Sequence, residues 1–277
     1  IVTGESNMAT VILTAVGWLE ADGRKKLLRP ARSSSPISTN LMVKCCVQSV
    51  YVKPKMLRSN LIFIHGPSGS GKGELARVLI SNFELQSYQV FYGASGDFFR
   101  AAMANNPQLA SEMNSGKYID SLYGIATEIK KLATKWKEAG SNGVLILDGV
   151  IRRLAFDNYP SQLDQIAEFL GTPKNELMAT THIVVNANMD DLYNQLSARN
   201  IGRSDDHDVA IKKRLANWVE HVREAVIDLG YVMNAQGELS STKPNLLTIN
   251  NGAHYGVGLE EFREKCGEIF SFLINND

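Results

Sequence analysis

Eight residues, Gly66-Pro67-Ser68-Gly69-Ser70-Gly71-Lys72-Gly73, have the types and spacing to hold a phosphate. Glycines let successive backbone N–H groups turn inward around an oxyanion, and the N-terminus of a following helix adds a positive dipole. Lys72 is then placed to bridge terminal phosphates and to follow the charge that develops when one of them is transferred. Loops of this kind usually end in Lys-Ser or Lys-Thr, whose hydroxyl binds Mg2+; here the position is Gly73. The plain alternative is a Gly/Ser turn that merely begins a helix. The apolar strand before the loop and the helical pattern after it weigh against that alternative.

Phosphoryl chemistry between two polyanions needs cations that offset their repulsion and walls that keep water out. Lys72, Arg100, Arg152, Arg199, Arg203 and Arg214 supply six cations from separate segments that a folded sheet could converge. Arginine suits this task because its planar fork binds phosphate oxygens in pairs and keeps its charge. Asp148, at the end of a predicted buried strand, is placed to hold Mg2+ through its waters; capping an Asp-Gly turn is its plainer role. Asp205 and Asp206 fit better as partners that orient neighbouring arginines than as metal ligands. For Arg199 and Arg214, both in helical patterns, a solvated surface charge is the plain alternative. A phosphate oxyanion needs no general base to act as acceptor, so five scattered histidines are no obstacle. His65 and His182 sit in or beside apolar strands and read as core, and Trp136 and Trp218 read as packing residues on helices.

The elements that must position these groups alternate along the chain. Leu61–Ile64, Gln89–Tyr92, Val144–Leu147, His182–Ala187 and Leu246–Asn250 are short apolar runs, as expected of buried parallel strands. After the loop, Leu75, Val78, Leu79 and Phe83 form one helical stripe. Further helical patterns cover Ile125–Ala139, Gln162–Leu170, Met189–Arg199, Asp208–Leu229 and Leu259–Leu273. Strands separated by helices predict an α/β fold: a five-stranded parallel sheet with right-handed crossovers and ligands at the carboxyl ends of its strands. Asn105–Lys117 and Asn234–Asn245 read as loop-rich excursions.

With 277 residues, 44% hydrophobic and 21% charged, the chain can bury one sizeable core. Lysine plus arginine and aspartate plus glutamate both number 29, so no global field points to nucleic acid or to a membrane. Three cysteines, two of them adjacent as Cys45 and Cys46, exclude a disulfide framework and a four-ligand zinc site, and fit a reducing compartment. The apolar run Ala9–Leu19 is about half a membrane span. Charge is unevenly spread: residues 1–58 hold three acids and nine bases, which leaves 26 acids and 20 bases to residues 59–277. The leading stretch therefore reads as a basic, disordered leader. A transit peptide over residues 1–55, or a piece translated from upstream of a start at Met56, are its other readings. Function belongs to residues 59–277, with a cytoplasmic location expected, or an organelle if the leader is a transit peptide.

Five motifs in order give the domain a family resemblance. Gly66–Gly73 resembles the loop of adenylate kinase and its relatives, the P-loop nucleoside monophosphate kinases. Ser95-Gly96-Asp97-Phe98-Phe99-Arg100 is similar to the family's Thr/Ser-Gly-Asp-x-x-Arg element, and Gly116-Lys117-Tyr118-Ile119 to its Gly-Lys-x-Val turn. Asp148-Gly149-Val150-Ile151-Arg152 stands where the family has Asp-Gly-Phe-Pro-Arg. Gly202-Arg203-Ser204-Asp205-Asp206, with Lys213-Arg214-Leu215, resembles its Gly-Arg-x-Asp-Asp and Lys-Arg-Leu run. The resemblance implies a three-layer α/β/α P-loop fold and reversible, Mg2+-dependent phosphoryl transfer from ATP to AMP. It implies that Gly66, Ser68, Gly69, Ser70, Gly71, Lys72, Gly73 and Arg199 hold ATP. The acceptor nucleotide would be held by Ser95, Arg100, Lys117, Tyr118, Ile119, Gly149, Arg152, Gln165, Arg203 and Arg214. It also implies an acceptor-binding flap over about residues 94–125 and a short lid over about 199–207, without zinc. Nothing in the sequence demands an oligomer, so a monomer is expected.

Several positions depart from the family pattern. Glu74 replaces the usual Thr after Lys-Gly, and a carboxylate there weakens nucleotide binding unless it turns outward or pairs with Arg or Lys. Leu75 replaces Gln, Val150 and Ile151 replace Phe-Pro, and Phe156 stands where an adenine-reading Gln is usual. Gln162 or Gln165 takes that role only if the intervening loop has grown, with Gln165 the better match. Gln195 replaces the usual partner of Arg199. A UMP/CMP kinase or another small-acceptor kinase, and a catalytically impaired nucleotide-binding protein, are accordingly the other readings.

Overall fold

The computed structural model describes residues 20–21, 24–25, 59–104, 106–114, 122–151, 161–198 and 208–275. The chain divides into two units, residues 1–50 and 51–277. In the first, the described residues are two short antiparallel pieces, Glu20–Ala21 and Arg24–Lys25. The remainder of the expected leader lies outside the described residues.

In the second unit, strands β1 (Leu61–His65), β2 (Gln89–Ala94), β3 (Gly143–Asp148), β4 (Thr181–Ala187) and a later strand, Leu246–Asn251, form a parallel sheet. Between the last two run the short strands β5 (Val232–Met233) and β6 (Leu239–Ser240), which pair as an antiparallel hairpin, so Leu246–Asn251 is β7. The sheet order is β2-β3-β1-β4-β7. Register aligns Ile64 and Ala94 with Asp148, and His65 with Val184, so the ends of β1 to β4 come level.

The central strands β1, β3 and β4 are buried along almost their whole length because helices cover both faces, whereas the edge strands β2 and β7 are partly exposed. Ile62 and Ile64 of β1 point to one core, shared with Leu75, Leu79 and Phe83 of α1 (Lys72–Leu85). Leu61 and Phe63 point to the other, shared with Ile129 of α4 (Ala126–Ala139) and Ile166 and Phe169 of α5 (Gln162–Leu170). Helices α2 (Ser95–Met103) and α3 (Pro107–Asn114) precede α4, and α6 (Lys174–Ala179) precedes β4. Helices α7 (Met189–Ala198), α8 (Asp208–Asn217) and α9 (Arg223–Asp228) follow β4, and α10 (Leu259–Ile274) closes the unit against the face that α1 covers. At α5, the Ser161 hydroxyl accepts from the Asp164 amide, and Gly171 ends the helix in the left-handed region. No helix among the described residues is long and apolar enough to cross a membrane.

The five strands fall where the apolar runs predict, with β2 continuing two residues further, to Ala94. Three expectations are corrected. The excursion at Asn105–Lys117 contains α3, which buries none of its residues fully and meets the core only through the partly buried Leu109 and Met113, so its apolar stripe is short. The excursion at Asn234–Asn245 contains β6, tied to β4 by Asn186. The single helix expected over Asp208–Leu229 is interrupted by a π-helical turn at Trp218–Val222. Trp218 packs into the core there, as expected of a packing residue.

Candidate active site

The loop between β1 and α1 is built around glycine backbone. Gly66 has φ +145° and Gly71 φ +98°. A Cβ at Gly66 would meet the Val185 carbonyl at 2.8 Å, and one at Gly71 would meet Asn251 Nδ2 at 2.5 Å. Both positions therefore combine a backbone that side chains disfavour with a wall that leaves them no room. Gly69 faces Leu192 and Leu196 of α7, and Asn251 at the end of β7 donates Nδ2–H to the Ser70 carbonyl at 2.8 Å. Phe262 of α10 supports the same turn, 3.1 Å from a Cβ at Gly71. The loop is thus fixed by β4, α7, β7 and α10 at once.

Lys72, the first residue of α1, folds back over the loop. Its Nζ donates to the Gly66 and Pro67 carbonyls, each at 2.8 Å. Those bonds hold an ammonium at the mouth of a ring of amides, where terminal phosphates would lie.

At the end of β3, Asp148 is 8% exposed, and the half-buried Tyr92 of β2 donates its hydroxyl to Asp148 Oδ2 at 3.3 Å. Burial and the Asp148 carboxylate both push the Tyr92 phenol up, so it remains a donor. Next along the chain, the Gly149 amide bonds to the Ile64 carbonyl, and the Gly149 carbonyl accepts from the Ser95 hydroxyl at 2.8 Å. Ser95 and Gly149, predicted apart on the acceptor side, are thereby joined. Arg100 donates to Asp97 Oδ1 at 2.5 Å, one turn apart on α2. Arg214 is half-buried on α8, which packs on α7 through Leu192, Leu196, Ile211 and Leu215.

Gln165 is fully buried, and its Oε1 accepts from the Leu122 amide at 2.8 Å. Its carbonyl is thus engaged by the segment leading to α4 rather than turned to an open pocket. Lys117, Tyr118, Ile119, Arg152, Arg199 and Arg203 lie outside the described residues, as does the expected lid.

Mg2+ suits the residues present. Gly73 offers no hydroxyl and has open space around it. Asp148 would take the ion through waters beside the nucleotide's own oxygens, the environment this cation prefers. The one carboxylate that threatened anion binding, Glu74, is paired: Arg263 donates Nε–H to Oε1 at 2.6 Å, and Arg77 pairs with Oε2. Sequence reasoning missed Tyr92, Asn251 and Arg263, since each reaches the site from a distant segment without a motif of its own. Beside Asn251 opens a depression of about 560 Å³, lined by Gln195, Ala253, Val257 and Leu259 with backbone of the glycines between.

Residues 65–212 match a family model described as an AAA domain, more than half of the chain. An adenylate kinase of Oenococcus oeni is 30% identical over 204 residues, which cover 69% of this chain and 96% of that one. The chain belongs to the nucleoside monophosphate kinase family. Adenylate kinase isoenzyme 1 of Rattus norvegicus is 27% identical to this kinase over 207 residues, 71% of this chain and 97% of the relative. A probable UMP-CMP kinase 2 of Arabidopsis thaliana is 25% identical over 248 residues, 84% and 86% of the two chains. In this phosphotransferase the glycine loop, Asp148 and Ser95 come together at the carboxyl ends of β1 to β3, the end of a parallel sheet where ligands are expected.

Proposed function

We propose that this kinase transfers the γ-phosphoryl group of Mg·ATP reversibly to AMP, giving two ADP. The observation that carries the reading is the Lys72 ammonium held on the Gly66 and Pro67 carbonyls at the mouth of the glycine loop. The donor phosphates lie against the loop amides from Gly66 to Gly73, and the donor base occupies the depression beside Asn251. The acceptor phosphate lies on the β2–β3 side, near Ser95, Gly149 and Arg100. A phosphate oxygen of the acceptor attacks the γ-phosphorus, the bond to the bridging oxygen breaks, and ADP leaves with that electron pair. No proton need be removed from the attacking oxyanion, so the protein's task is positioning and charge compensation.

Lys72 tracks the charge shifting to the bridging oxygen, and Arg100, Arg152, Arg199, Arg203 and Arg214 offset the rest. Asp148 would hold Mg2+ through waters, and the ion would supply further charge neutralisation. Residues about 94–125 and 199–207 act as two flaps that exclude water on closure. The enzyme is read as a cytoplasmic monomer.

Resemblance to UMP-CMP kinases as well as adenylate kinases supports a pyrimidine acceptor as the second reading. An ADP-formation assay on the full chain, with AMP, UMP, CMP and GMP offered separately and Lys72→Ala as blank, tests both. Preference for AMP, lost in the blank, is the expected result. Preference for a pyrimidine nucleotide would keep the mechanism and replace the acceptor. ATP binding without turnover on any acceptor would overturn the kinase reading.

A further inference from the structure

Glu74 is the third residue of α1, two places after Lys72, and its own amide bonds to Gly71 of the glycine loop. A carboxylate in that first turn satisfies the helix dipole in the absence of ligand. It also places negative charge where donor phosphates must come. Its side chain is only 15% exposed, so solvent screens it poorly.

Each carboxylate oxygen meets a guanidinium. Arg77, one turn along α1, pairs with Oε2. Arg263 comes from α10, 189 positions later, and bonds to Oε1 at 2.6 Å while its NH1 bonds to Glu260 Oε1 at 2.6 Å. The residue before it, Phe262, is the one that packs beneath Gly71. The register of α10 that supports the loop therefore also delivers Arg263 to Glu74. Glu74, Arg77, Glu260 and Arg263 together balance in charge.

We propose that Arg263 is a positioning residue of the donor site: it neutralises Glu74 and holds its carboxylate outward, which lets a loop reading Gly-Lys-Gly-Glu accept a nucleoside triphosphate. The inference rests on the reading of the glycine loop as the ATP site. Arg77 alone leaves Glu74 half-compensated, because it is the more exposed of the two arginines and is held only by its own helix. Arg263, tethered through Glu260 and Phe262, fixes the direction in which the carboxylate points.

The test is a double-mutant cycle on the full chain, with Mg·ATP affinity measured by equilibrium binding and KM separated from kcat. Arg263→Gln is expected to weaken ATP binding roughly three- to tenfold. The loss should fall on KM for ATP rather than on kcat, and shrink as salt is raised. Arg263→Lys keeps the charge and should recover most of the affinity. Glu74→Gln should bind ATP at least as tightly as the parent, and the double variant should match Glu74→Gln within about twofold. If Arg263→Gln binds ATP like the parent, or if the double variant binds as weakly as Arg263→Gln alone, Arg263 is merely a brace for α10 and the proposal fails. If the parent itself does not bind Mg·ATP, the donor-site reading falls first and carries this one with it.

Discussion

His65 and His182 share a hydrogen bond across β1 and β4, with Nε2 of the first 3.0 Å from Nδ1 of the second. The partner at the far end fixes the proton positions. His182 Nε2 lies 3.0 Å from the Leu177 carbonyl, which can only accept, so that nitrogen carries hydrogen. His182 Nδ1 is then the acceptor, and His65 donates from Nε2. Both rings are buried and stack with Phe63, as core histidines do, and one of them is the last residue before the glycine loop.

This pair makes stability depend on pH. Burial holds His65 well below the ordinary imidazole value of 6.5 and lowers His182 to about 4. Between those limits the unfolded chain takes up protons that the native pair refuses, so acid favours unfolding. Above pH 6.5 the contribution is flat; from there towards pH 4 stability should fall, by about 3 kcal/mol for His182 alone. Urea unfolding at pH 7.5, 6, 5 and 4.5 measures it. A midpoint that does not move across the range would show that the pair titrates normally.

Lys72→Met should remove catalysis rather than structure. The ammonium bonds to two loop carbonyls, and in the proposed reaction it turns to the donor phosphates. Turnover is expected to fall by about a hundredfold or more, comparable to loss of one oxyanion donor elsewhere. The circular dichroism spectrum should remain that of the parent, and single-turnover kinetics would show whether the chemical step is the one affected.

Gly71→Ala tests the loop's backbone. The substitution imposes a disfavoured φ and drives a methyl into Asn251 Nδ2, whose bond to Ser70 would have to break. A stability loss of about 1–3 kcal/mol is expected from the conformation alone, with weaker Mg·ATP binding. A thermal melt with and without Mg·ATP reads both effects; an unchanged melt would mean that the loop relaxes freely.

Tyr92→Phe removes the hydroxyl that donates to Asp148. A hydrogen bond to a charged group is worth about 1.5–3 kcal/mol at best, and at 3.3 Å this one belongs at the weak end. The expected outcome is a few-fold higher Mg2+ concentration for half-maximal rate, with ATP affinity in excess Mg2+ nearly unchanged. A titration of rate against Mg2+ decides it.

The sheet was legible in the sequence because Leu61–Ile64, Val144–Leu147 and His182–Ala187 are buried on both faces, and continuous apolar runs follow directly from that. The glycine loop was legible because its function resides in backbone, which leaves a spacing of glycines as its trace. Helix α3 was not, since it buries no residue fully and touches the core only through Leu109 and Met113. The π turn at Trp218 widens a helix whose apolar spacing still reads as regular. Glu74 could be flagged from its position, but Arg263 could not be named as its partner, because only the folded register of α10 on α1 brings them together. Gln165 was chosen by pattern match, and the pattern held no sign that Leu122 would engage its carbonyl.

The strand order β2-β3-β1-β4-β7 sorts the chain into two contiguous stretches on either side of β1. Residues 89–170 build the flank that carries Ser95, Asp148 and Gln165; residues 181–274 build the flank that carries α7, Asn251 and Arg263. Each flank returns to the central strand as an uninterrupted length of polypeptide. With the acceptor on the first flank, as proposed, a single crossover or one exchanged cassette spanning 89–170 would import another enzyme's choice of acceptor while leaving the Glu74–Arg263 link intact.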